Sequence, residues 1–162
     1  MGIRCCSLRN AELIGVGDKP VHDFSNIEGF AYYAPFMHAV EPLPLPKPAA
    51  GIKLYAYFAA QEEPEAEASM SYSGYSYFRD CLAEISGKSD SAALEPGDPF
   101  FEMCYMSDND GFFSHEVVRT IAKDFGDYRY EVRDDPLVRV AYENWAQVFN
   151  DAANNNGIVY YT

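Results

Sequence analysis

Residues 135–157, DPLVRVAYENWAQVFNDAANNNG, constrain the architecture more than any other stretch. Asp135 is a good N-cap, and Pro136 suits the first helical position, where its missing N–H would have no partner. Leu137, Val140, Ala141, Asn144, Trp145, Val148, Phe149 and Ala152 recur at three- and four-residue steps and predict a single helix face. The Asn-Asn-Asn-Gly run stops the helix. A helix with one apolar stripe is marginal alone and needs a second layer to cover it. IVYY, 158–161, follows at once and reads as a strand.

Two more segments carry helical spacing. In GYSYFRDCLAEISG, 74–87, Tyr75, Phe78, Leu82 and Ile85 share a face; Ser71 or Ser73 caps the start, and Gly87 suits the left-handed position past the end. In SHEVVRTIAKDF, 114–125, Val117, Val118, Ile121, Ala122 and Phe125 form the stripe, Ser114 is the N-cap, and Glu116 favours the positive end of the dipole. IKLYAYFAA, 52–60, alternates as a strand. PFFEMCYMS, 99–107, is apolar on both sides and predicts a central strand. Residues 3–16 read as one strand, and 27–40 as a strand or a short helix. The four prolines of EPLPLPKP, 41–48, forbid helix and remove ladder donors, so this segment is an extended connector. Residues 61–73 read as an acidic loop, with 88–99 and 126–134 irregular. The sum is α+β: a mostly antiparallel sheet with about three amphipathic helices packed on it, in one domain spanning 1–162.

Charge narrows the partners. The formal net charge is −13, and all of it belongs to residues 61–162, which hold 20 acidic and 7 basic groups. Such a surface repels nucleic acid and anionic lipid and attracts basic protein surfaces. No apolar run is long enough to cross a bilayer as a helix, and MGIRCCSLRN lacks the apolar region of a secretory signal. Four cysteines without a CxxC pair, in that setting, predict reduced thiols.

The turn YMSDNDGFFS, 105–114, is the nearest approach to a metal loop. With Gly111 sixth in a calcium loop, Asp108 and Asp110 occupy the third and fifth positions. Met106 then stands first and Val117 twelfth, where an oxygen ligand and a bidentate glutamate belong. A structural turn is the simpler reading. His115 stands beside these aspartates, but a helix N-terminus disfavours its charged form and no nucleophile adjoins it. No GxSxG, GxGxxG, Walker loop or HExxH occurs. Cys81 and Cys104 read as core residues, and the serines of SYSGYS as caps. Gly2 and its neighbouring cysteines suggest lipidation, but Cys6 stands where the acyl motif needs Ser or Thr. No metal and no cofactor are expected.

From residue 69 to 162 the order SYSGYSYFRDCLAEISG, PFFEMCYMSDNDG, VVRTIAKDF and YENWAQVFNDAANNNGIVYY resembles a set of uncharacterised small acidic bacterial and phage proteins. The resemblance implies a cytoplasmic setting in a bacterium or a phage-infected cell and carries no catalysis with it. The expected function is a non-catalytic acidic inhibitor that occupies a basic, nucleic-acid-binding surface on a nuclease or CRISPR-type effector, with no direct contact to nucleic acid or membrane. A toxin-neutralising immunity protein would use the same charge, and a small enzyme or ligand domain built on the 107–115 turn is the alternative class. The partner-facing carboxylates expected are Glu62, Glu63, Glu65, Glu67, Asp108, Asp110, Asp134 and Asp135, all in segments read as loops and turns.

Overall fold

The computed structural model describes residues 2–17, 30–35, 55–60, 66–105 and 111–161. The fold is α+β. One sheet has four antiparallel strands in the order β5-β1-β7-β6: β1 (Gly2–Leu8), β5 (Glu67–Ser71), β6 (Gly111–Phe113) and β7 (Ile158–Tyr161). A three-stranded antiparallel sheet has β4 (Tyr55–Ala60) between β2 (Glu12–Gly17) and β3 (Phe30–Pro35). Three long helices, α1 (Tyr72–Ile85), α3 (His115–Asp127) and α4 (Pro136–Asn154), accompany them, with a short α2 (Phe101–Tyr105) between the first two.

β1 is central because it pairs on both edges, Gly2 to Cys6 with Ser71 to Glu67, and Cys5 to Leu8 with Tyr161 to Ile158. Its Ile3, Cys5 and Leu8 are buried. Residues 3–16 are thus two strands in different sheets and not one. Asn10 breaks the run with φ +48°, a left-handed conformation that asparagine tolerates better than most residues.

The predicted loop 61–73 is corrected over 67–71, which form strand β5. Ala68 points inward while Glu67, Ser69 and Ser71 point out, so an acidic, small-residue sequence hides a period of two. The predicted strand 99–107 is also corrected. Gly97, at φ +97°, and the left-handed Phe100, at φ +61°, swing the chain into helix α2, and the Cys104 amide donates to the Phe100 carbonyl at 3.0 Å. Phe100 is fully buried, with its ring edge-on to Phe125, Tyr128 and Tyr142. Its amide donates to Asp124 Oδ2 at 3.0 Å, so packing and a hydrogen bond together hold an unfavourable backbone angle.

Of the two candidate caps it is Ser71 that serves, its side chain accepting from the Gly74 amide, so α1 begins at Tyr72, two residues before the span read from spacing. It ends in a Schellman pattern, with Lys88 N–H on the Ala83 carbonyl, Gly87 N–H on the Glu84 carbonyl, and Gly87 at φ +87°. The core is aromatic. Tyr75 and Trp145 stack at 5.9 Å between ring centres, and Phe113 and Tyr75 meet Tyr161 edge-on. Trp145 Nε1 donates to the Tyr161 hydroxyl at 3.1 Å, and the Tyr75 hydroxyl lies 3.1 Å from the same oxygen, so polar tips deep in the core find partners. The proline segment 41–48 and the turn 106–110 lie outside the described residues.

Candidate interaction surface

Five of the eight expected carboxylates, Glu62, Glu63, Glu65, Asp108 and Asp110, lie outside the described residues. Glu67 is exposed on β5 and pairs with Arg4 of the neighbouring strand. Asp135 is the N-cap of α4, accepting from the Leu137 amide at 2.9 Å and the Val138 amide at 3.5 Å. Asp134 beside it is exposed. Only these last two come together, in the connection between α3 and α4.

That corner holds more than the sequence suggested. Residues 123–143 contain six carboxylates (Asp124, Asp127, Glu131, Asp134, Asp135, Glu143) against three guanidiniums and the ammonium of Lys123, which pairs with Asp127. Two of the three guanidiniums are hydrogen-bonded within the molecule, and the third lies in an exposed ion pair. Arg133 pairs with Glu84 at 2.9 Å and donates to the Tyr77 hydroxyl at 3.3 Å; Arg139 donates to the Val132 carbonyl at 3.3 Å; Arg129 lies 3.6 Å from Glu143. Among the described residues, no cation pairs with Glu131 or Asp134, and both are exposed. The same contacts fix the loop, because Val132 is buried beneath it and Arg133 ties it to α1.

Between those acids stand large apolar groups. Leu137 is 82% exposed, Val140 60% and Tyr130 91%. Leu137 and Val140 were expected on the buried face of α4. The face is instead set by Val138, Ala141, Tyr142, Trp145, Ala146, Val148, Phe149 and Ala152. The Tyr142 hydroxyl, donating to the Phe125 carbonyl at 2.7 Å, fixes that rotation. With so many apolar positions the helix offered two overlapping stripes, and the wider aromatic one won.

A concavity of about 570 Å³ lies between α1, α2 and the 91–96 loop, lined by Arg79, Leu94, Glu95, Phe101 and Tyr105 among others. Its guanidinium already has work. Arg79 sits 5.0 Å over the Tyr75 ring and donates to the Cys104 carbonyl at 3.4 Å, closing the end of α2.

The reactive residue types have structural roles. All four cysteines are buried free thiols. Burial pushes the Cys104 thiol up to about 12 and the Cys5 thiol well above its ordinary value, so neither ionises near neutrality. Cys104 belongs to α2 rather than to a strand. His115 donates from Nδ1 to the Gly157 carbonyl at 2.7 Å, tying the start of α3 to the turn before β7. Among the described residues no three His, Cys, Asp or Glu side chains are placed to hold a metal, and no helix is long and apolar enough to cross a membrane. Compared with protein-family models, curated proteins and solved structures, the chain matches none.

Proposed function

We propose that this chain is a non-catalytic acidic binding protein that occupies a basic surface of a protein partner in place of nucleic acid. One observation carries the reading: at the α3–α4 corner carboxylates outnumber cations, the cations there are engaged within the molecule, and the exposed Glu131 and Asp134 have no cationic partner among the described residues. The outward field there is anionic, and such a field steers and holds cationic surfaces. Among the described residues the thiols are buried and His115 is held by the Gly157 carbonyl, which fits packing roles for both. An inhibitor carried by a phage against a nuclease or CRISPR-type complex is the concrete form of such a protein.

The test is competition. Protamine loaded with a fluorescent DNA duplex should release the duplex when this protein is added, read as a fall in anisotropy. The midpoint should rise at least about tenfold between 50 and 300 mM salt, because the contact is charge-driven. No release at a hundredfold excess over protamine, or a midpoint indifferent to salt, overturns the reading.

A further inference from the structure

We infer that the α3–α4 corner is the contact surface itself and that it receives a basic amphipathic helix from the partner. This deepens the acidic-binding reading and rests on it. Leu137 and Val140, three residues apart, make a ridge along the outer side of α4, and helical ridges of this kind seat in the grooves of a facing helix. Tyr130 stands in the loop that runs beside the ridge: its neighbour Arg129 reaches Glu143, one turn beyond Val140, and Arg139 holds the Val132 carbonyl. Exposed large apolar side chains flanked by acids have the composition of an interface, with an aromatic and aliphatic centre and a polar rim.

Charge selects the occupant. Glu131 and Asp134 are exposed, have no cationic partner among the described residues, and stand in the loop that leads directly into the ridge-bearing first turns of α4. A partner helix with aliphatic residues at three- and four-residue steps and Lys or Arg on its flanks satisfies both features. The surface is ready for it: the burial of Val132 and the Arg133 bonds to Glu84 and Tyr77 hold the loop in place, so docking orders little.

Two synthetic helical peptides of equal charge separate the possibilities, one of Lys and Leu in amphipathic order and one of Lys and Ser. The wild type should bind the Lys/Leu peptide at least about tenfold more tightly than the Lys/Ser peptide. Tyr130→Ser, Leu137→Ser and Val140→Ser combined should bring the two affinities together and leave the melting temperature unchanged, since all three side chains are exposed. Glu131→Gln with Asp134→Asn should weaken both peptides and reduce the salt dependence. Equal binding of the two peptides by the wild type overturns the corner while leaving the acidic reading intact. Binding of neither sinks the acidic reading as well. Discrimination that survives the triple substitution places the contact elsewhere. A dimer in sedimentation that the triple substitution dissociates assigns the ridge to a second copy, and equally overturns the proposal.

Discussion

Asp151 joins three parts of the chain through one carboxylate. It accepts from the Ser7 hydroxyl at 2.7 Å and, in a forked pair, from Arg9 Nε at 3.0 Å and Nη2 at 2.6 Å. Ser7 is fully buried, and its oxygen also accepts from the Ala66 amide at 3.1 Å. Burial pushes the Asp151 carboxyl up, but the hydrogen bonds from Arg9 and Ser7 outweigh it and hold the group below the usual carboxylate range. A depressed folded value means stability that is complete above the unfolded value of about 3.9 and lost as pH falls through the folded one. Asp151→Asn should therefore cost about 2–3 kcal/mol at pH 7 and flatten the acid limb between pH 4 and 2. Urea unfolding at several pH values checks it, and an unchanged acid limb would refute the assignment. Nothing in the sequence pairs Ser7 and Arg9 with a residue more than 140 positions away. Asp134 and Asp135, by contrast, could be picked out as turn residues, whereas Leu137 and Val140 could not be seen as exposed until the rotation of α4 was known.

The helices carrying their own boundary signals were readable: α3 and α4 fall where spacing and caps put them, α1 is displaced by two residues onto its Ser71 cap, and β7 follows the Asn-Gly stop. Elements whose character depends on neighbours were not. α2 is too short for a periodic signal, and β5 is strand only because β1 lies beside it. Even the readable caps differ physically. Asp135 accepts two amides, whereas the Ser114 hydroxyl, buried at the head of α3, makes no cap bond and no other hydrogen bond. Asp135→Ala should then cost about 1 kcal/mol, the usual loss for an N-cap. Ser114→Ala should cost nothing and gain up to about 1 kcal/mol, because it removes a desolvated hydroxyl that nothing satisfies. Thermal melts of the two variants decide the matter; equal destabilisation would show that Ser114 caps after all.

Taken together, the charges work against the compact state. Six ion pairs are seen among the described residues, and four of them, Arg4–Glu67, Lys123–Asp127, Arg129–Glu143 and Arg133–Glu84, are well exposed, where solvent screening leaves each contributing little. A net charge of −13 on 162 residues repels itself over longer distances. Screening should relieve the repulsion more than it weakens the pairs. Raising sodium chloride from 20 to 300 mM is expected to stabilise the protein by about 1 kcal/mol, or about 3 °C in Tm. A lower melting temperature in salt would mean that local pairs dominate.

The placing of β1 between β5 and β7 has a consequence for biosynthesis. Its two neighbours are made at very different times: β5 about 65 residues later, β7 about 150, which at ribosomal speeds of about 5–20 residues per second is a wait of roughly 8–30 s. Through that interval a nascent chain carries Ile3, Cys5 and Leu8 on a strand with one edge open and α4, its eventual cover, not yet synthesised. An uncovered strand edge of this kind is open to pairing with other chains until β7 and α4 arrive, so the late C-terminal elements close the hazard that the first strand opens.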